Sequence, residues 1–467
     1  MRSSSTSGAV LSAVVRKAAS QAELEEAATY LVRIAQQGEG VAAADAFVSR
    51  RTRVTVRIDE GHRTVTRSEH VGDGVHVQRH GSLGFASAAL GVGVAPEDVV
   101  DAAMHNASFG SPVLSRAFPG PMPDRRDVRL GALSACADVE AKDLSALANT
   151  LVELSRNCDS RVLGCRPVLV QWEHVAVALA NSADFAGSYC GCQVDAIVNV
   201  IAAGQDDRQT WLAHARGSAL PEIHPDTLVL EAVTHATGML GARRCLPDLH
   251  GGLVLSARAM AGILGATWPV LGGQSSAAQT WPYRESYGTR AASTLVSIID
   301  DPHLEDGPAF RPFDGEGFPT VRKILVRNGT VCDLLQTAYT CRRSAVGSPG
   351  NASRSYDHPP RVGPSNLLLA PGERGPVRLP DAGLWIGNVQ GLHTADPTTG
   401  RFALAADGRA IRGGALEEPV AGLRLRGSLP EMLANVTQVG NELAYATTRK
   451  GIAAPSVALP DLRVFVK

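Results

Sequence analysis

Histidine, cysteine and carboxylate pairs are the side chains here whose spacing could support chemistry, and metal binding is the first chemistry to test. His76-Val-Gln-Arg-His80 has the H-x3-H spacing that chelates zinc on a helix. Its neighbours alternate with period two, however, and along a strand four residues span ~13 Å. Two imidazoles that far apart do not share an ion bound at about 2.1 Å. His76 and His80 are therefore expected on the solvated face of a hairpin. No HExxH or HExxxH occurs, and there is no G-x-S-x-G elbow or Walker A loop. Asp300-Asp301-Pro302 offers two carboxylates, but adjacent strand residues point to opposite faces, so a turn or cap before the proline is expected. Phe313-Asp-Gly-Glu-Gly317 reads as a tight turn. Gly347-Ser-Pro-Gly-Asn351-Ala-Ser-Arg354 is a donor-rich loop, suited either to cradling a ligand or to bending the chain.

Elements must hold these loops in place. Ser20 and Glu23 form a capping box that opens an amphipathic helix through Leu24, Ala27, Leu31 and Ile34. From residue 45 to 88 the apolar positions alternate, with turn signals at 59–61, 72–74 and 80–81, which predicts an antiparallel meander. Helices are expected over 96–109, 142–156, 224–240 and 256–271, with strands and turns over 162–213. Beyond residue 290, glycine and proline punctuate short apolar runs until a last helical pattern at 429–439. The expected fold class is α+β. A flexible tail (1–19) precedes an N-terminal α/β domain with the meander and helices (20–225), and a β-rich C-terminal domain follows (226–467).

Composition narrows the function. The 467 residues are 44% hydrophobic and 19% charged, enough to build ordinary cores. Lys+Arg 45 against Asp+Glu 46 gives a net charge of −1, which disfavours a dedicated nucleic-acid or anionic-membrane partner. No apolar run approaches the ~18 residues of a membrane span. Arg16 and Lys17 interrupt the region where a signal peptide would be cleaved, so a cytoplasmic protein is expected. Cys190-Gly-Cys192 is too short for a CxxC site, and the eight cysteines are expected to be mostly buried and reduced.

Taken in order, the weak motifs resemble one family. Gly72-Asp-Gly-Val-His-Val and Gly81-Ser-Leu-Gly-Phe-Ala-Ser87 are similar to the N-terminal hairpin of TldD/PmbA proteins. Asp300-Asp-Pro302, Phe313-Asp-Gly-Glu-Gly317, Gly350-Asn-Ala-Ser-Arg354, Asn366, Gly413-Gly414 and Gly440-Asn-Glu442 resemble that family's C-terminal half. The resemblance covers roughly residues 20–467. TldD-like subunits carry an HExxxH helix and a later cysteine that hold catalytic zinc. The equivalent helix here resembles Arg258-Ala-Met-Ala-Gly-Ile-Leu-Gly-Ala-Thr-Trp268, which has neither His nor Glu. The last cysteine is Cys341 and the last histidine is His393, so the late ligand is missing as well. Glu231-Ala-Val-Thr-His235 falls on the wrong element to replace the lost ligands.

The resemblance thus implies a PmbA (TldE)-like subunit, with no catalytic residue and no metal ligand of its own. It implies a heteromer in which a TldD-like partner holds the zinc and unfolded peptides are cut or trimmed. Within the matching loops, Asn351, Arg354, Asp314 and Glu316 are the candidates to orient a peptide or to hold the fold in register. Arg354 is suited to clamp a carboxylate, either a peptide C-terminus or Asp314 or Glu316. Two alternatives stand beside this reading. One is the same heteromer recruited to natural-product (antibiotic) biosynthesis, hydrolysing an amide in a small peptide-like molecule. The other is a binding or scaffold protein without hydrolysis.

Overall fold

Helix α1 (Gln21–Gln36) begins at the capping box: Ser20 Oγ accepts from the Glu23 amide at 3.3 Å, and Glu23 returns a bond to the Ser20 amide at 2.6 Å. Its buried stripe is Leu24, Ala27, Ala28, Leu31, Val32 and Ala35, the spacing of one helical face. The computed structural model describes residues 20–89, 93–110, 139–244, 250–273, 286–304, 307–344, 349–447 and 451–461. The tail at 1–19 lies outside the described residues.

Strands β1 (Val41–Asp59), β2 (His62–Arg79) and β3 (Ser82–Ala89) form the expected meander. β4 (Val162–Asn181), β5 (Ala186–Ala203) and β6 (Arg208–Gly217) extend it into a six-stranded antiparallel sheet, ordered β3-β2-β1-β4-β5-β6. Period-two alternation gives this sheet two unlike faces. One face presents Ala44, Ala46, Val48, Val75 and Val77 to α1 and α2 (Pro96–Ala107). Further along, it presents Val54, Val56, Val170, Val198 and Val200 to α3 (Ala141–Cys158) and α4 (Pro225–Gly238). Gly84 lets α2 approach closely, since a Cβ there would stand 2.1 Å from the Ala103 carbonyl oxygen.

The position of α4 differs from the expected division at 225–226. Its buried residues Leu228, Val229, Ala232, Val233 and Ala236 complete the helical cover over β5 and β6, so the first core runs on through Gly238. Helical periodicity gave α4 an apolar stripe but could not say which sheet would cover it.

The second half packs two large sheets around a central helix. Helix α5 (Ala257–Thr267) lies in a core lined by Leu253, Ile298, Leu325, Leu367, Leu384, Phe402 and Leu425. A seven-stranded sheet holds Gly252–Leu255 parallel to Ala382–Gln390, and the long strands Arg401–Arg412 and Ala415–Ser428 follow. A six-stranded sheet holds Ile298–Asp300 between Lys323–Arg327 and Leu367–Leu369. The last helix is shorter than expected, Leu429–Ala434, because Gln438–Val439 pairs with Val457–Leu459 instead. Cys192 departs from the expectation of reduced thiols in being disulfide-bonded, while Cys158, Cys165, Cys190, Cys332 and Cys341 form no disulfide.

Candidate functional site

The helix-free face of the first sheet turns toward the second half, and the loops singled out from the sequence meet it there. Gly72 and Gly74 leave room for the backbone and ring of Tyr356; a Cβ on Gly74 would lie 2.2 Å from the Tyr356 carbonyl oxygen. Phe47, Val177 and Leu179 from the sheet, with Phe185 from the β4–β5 turn, bury Phe313 from the other half, and Phe185 and Tyr189 stand edge-on to Phe313 at 5.2 and 5.1 Å.

Each of the four expected loop residues is buried at or near this junction. Arg354 donates from Nη1 to Asp45 of β1, both side chains almost fully enclosed, and its guanidinium lies 5.4 Å over the Phe47 ring. The carboxylate it clamps is therefore Asp45 across the domain junction, and neither Asp314 nor Glu316. Asp314 Oδ1 accepts from the amides of Glu316 and Phe318 at 2.9 and 3.0 Å, and its Oδ2 accepts from the Ala352 amide at 3.0 Å. Burial pushes the Asp314 carboxyl upward against the pull of those three N–H donors. Glu316 Oε2 accepts from the Ala338 amide at 2.7 Å, at the start of the short helix Ala338–Ser344.

Asn351 joins a buried relay. Its Nδ2 donates to Asp300 Oδ2 at 2.7 Å, and its Oδ1 accepts from Lys323 Nζ at 2.8 Å. Asp300 Oδ1 accepts from the Ser365 amide at 2.8 Å, while Asp301 bends the chain by accepting from the His303 amide at 3.0 Å. The turn expected at Asp301-Pro302 is thus present. Burial raises the Asp300 carboxyl and lowers the Lys323 ammonium, as expected of charges removed from water. This geometry ties the strands Ile298–Asp300 and Lys323–Arg327 to the loop positions Asn351 and Ser365. His76 is a correction to the sequence reading, being 7% exposed. It faces the second half, Nδ1 standing 4.0 Å from Asp45 Oδ2 and the ring edge-on to Phe85 at 6.1 Å.

A second junction lies at the start of α5. Arg258 donates to Glu231 of α4 and, at 2.6 Å, to the Leu212 carbonyl, with its guanidinium 5.7 Å over Trp211. His235 stacks between Trp211 at 4.3 Å and Trp385 at 6.0 Å, and burial lowers its pKa. Glu231 and His235 are thus consumed in joining the halves.

Between the two halves lies a cleft of about 1000 Å³, walled on the sheet side by Arg51, Glu173, Val175 and Tyr189. Arg311, Ser353, His358, Arg361 and Ser365 line the opposite side. On the same sheet face, Asp195 Oδ1 accepts from His214 Nε2 at 2.9 Å and from Arg216 Nε at 2.7 Å. Burial works to raise the Asp195 carboxyl, but the bonds from His214 and Arg216 more than offset it and hold it low. Sequence reasoning missed these residues. Their only signal was polar side chains at every second position of strands whose other face is apolar.

Helix α5 is packed rather than polar. Ala257, Ala259, Met260, Ala261, Gly262, Ile263, Leu264, Gly265 and Thr267 are buried, and its donors to a metal are nil in type. Among the described residues no group of three or more His, Cys, Asp or Glu is placed to hold a metal ion. The α5 side chains, Ala, Arg, Met, Gly, Ile, Leu and Thr, are not zinc ligands.

Residues 252–465 match the PmbA/TldA metallopeptidase C-terminal domain. The metalloprotease PmbA of Escherichia coli O157:H7 is 24% identical over 329 residues, covering 70% of this chain and 71% of that protein. The solved structure of TldE from Thermococcus kodakarensis superposes with a TM-score of 0.82 at 17% identity, covering 94% of this chain and 99% of that one. A Thermotoga maritima structure gives 0.81 at 20% identity, over 95% and 100%. Its C-terminal half carries the PmbA/TldA metallopeptidase domain, and the chain is PmbA/TldE-like over most of its length. The family's named homologues carry a protease role, and the two structural likenesses extend the shared fold across both halves. Among the described residues no helix is long and apolar enough to cross a membrane.

Proposed function

We propose that this chain is the metal-free subunit of a heteromeric zinc metallopeptidase acting on peptides, and that a TldD-like partner supplies the ion and the general base. The observation that carries the reading is the composition and burial of α5. A catalytic zinc site needs three protein ligands and an open position. Helix α5 instead spends its length on packing, with Met260, Ile263 and Leu264 fully buried. What the chain brings to the partnership is a cleft. Its wall is a sheet face with Arg51, Glu173 and Tyr189, and the Asp45–Arg354 and Glu231–Arg258 pairs hold that wall against the second half. Those groups are suited to binding and orienting a chain, with the bond-breaking groups supplied in trans. Confinement of the site to extended chains would spare folded proteins without demanding side-chain specificity.

Co-expression with a TldD-like chain followed by size exclusion and light scattering tests this. One particle containing both chains at micromolar concentration is expected. Separate elution of the two would contradict the reading, and a homodimer in the partner's absence would not.

A further inference from the structure

The cleft between the halves carries more positive charge than its own carboxylates balance. Three arginines, Arg51, Arg311 and Arg361, line it against one acid, Glu173. Glu173 is already committed to Arg53, whose Nη2 and Nε stand 2.6 and 3.1 Å from its Oε2, and Arg51 stands further off at 3.9 Å. Arg311 is fixed by neutral acceptors: Nη2 donates to the Pro364 carbonyl at 2.6 Å and Nη1 to the Ala352 carbonyl at 3.4 Å. Its buried Nε meets no acceptor among the described residues. The charge of Arg311 reaches the buried Asp300 and Asp314, but neither carboxylate bonds to it. Among the described residues Arg361 forms no ion pair and is exposed.

A guanidinium locked by backbone carbonyls is pre-organised, and its planar fork matches a carboxylate better than a lysine would. The volume of about 1000 Å³ stands at the upper end of ligand sites, room for a few residues of extended chain rather than for one small ion. Val175, Tyr189, Pro269, Phe310 and Pro364 supply apolar wall beside the charges. We propose that this cleft is a carboxylate subsite, anchored on Arg311 and supported by Arg361 and Arg51, which takes the free C-terminal carboxylate of an extended peptide. The proposal deepens the subunit reading above by naming which end of the substrate this chain holds.

The test uses the full chain alone and an apolar pentapeptide labelled at its N-terminus, followed by fluorescence anisotropy. Three forms are compared: the free acid, the C-terminal amide, and an amide carrying a Glu side chain near its end. The free acid is expected to bind about ten-fold tighter than the plain amide, the size of one charge-assisted pair. Arg311→Met should erase that preference, and the exposed Arg361→Gln and Arg51→Gln should each reduce it without disturbing the fold. Arg412→Ala, outside the cleft, should leave it unchanged. Equal binding of acid and plain amide, or no binding of any form, overturns the subsite. If the Glu-bearing amide binds as well as the free acid, the assignment to the C-terminal carboxylate is overturned. Complex formation with the partner is measured separately, so an intact complex with no carboxylate preference sinks the subsite and leaves the subunit reading standing.

Discussion

Arg354 and Asp45 meet across the junction with 0% and 1% of their side chains exposed, and such a pair is far more costly to break than to replace. Truncating one partner strands a buried charge. Arg354→Ala is therefore expected to lower stability by about 3–5 kcal/mol, read as a shifted urea midpoint. The double variant Arg354→Met with Asp45→Asn should recover much of that loss. A midpoint unchanged in Arg354→Ala would show the pair to be idle. Asp73 makes the opposite case. It is buried in β2, its Oδ1 has no hydrogen-bond partner among the described residues, and burial pushes its carboxyl up to about 7. The folded state thus keeps a proton that the unfolded chain loses near its ordinary value of 3.8. The contribution of Asp73 is most favourable at low pH and is lost as pH rises through 7. From pH 5 to pH 8 this amounts to about 3 kcal/mol, which Asp73→Asn should remove from the stability–pH profile. Identical profiles for both proteins would refute it. The motif residues were legible in the sequence as residues that matter, but their partners were not. Asp45 lies 309 positions from Arg354, and no local pattern reports a contact at that range.

Among the elements, α5 is where the proposed division of labour rests, because its side chains are given to packing. Its residues pack against both sheets of the second half, so Ile263→Ala should cost about 2–5 kcal/mol, as for other fully buried aliphatic side chains. A thermal melt within a degree of the parent protein would contradict the assignment of α5 to the core. The strands of the first half were legible because their two faces differ: Val54, Val56 and Ile58 alternate with Arg53 and Arg57. The same alternation misled the reading of His76, since a polar position on a strand implies water only when nothing covers that face. Here Phe85, Asp45 and the second half cover it. The short strands of the second half were legible as apolar runs, but not in their order. Leu367–Leu369 pairs parallel to Ile452–Ala454 and antiparallel to Ile298–Asp300, pairings that join segments about 70 to 85 residues apart.

At the scale of the whole molecule, two junctions hold a polar sheet face against a loop-rich half and leave an arginine-lined cleft between them. One junction is Asp45–Arg354 with the Phe313 cluster, and the other is Glu231–Arg258 with the Trp211–His235–Trp385 stack. In the proposed heteromer, bond cleavage belongs to a second chain and the holding of a peptide to this one. Elemental analysis and peptide hydrolysis, performed on this chain alone, on a TldD-like chain alone and on their mixture, test that division most directly. No stoichiometric zinc and no hydrolysis are expected for this chain by itself, with zinc in the partner and turnover from the mixture. One zinc per chain together with hydrolysis, in chelator-free preparations of this chain alone, would contradict it.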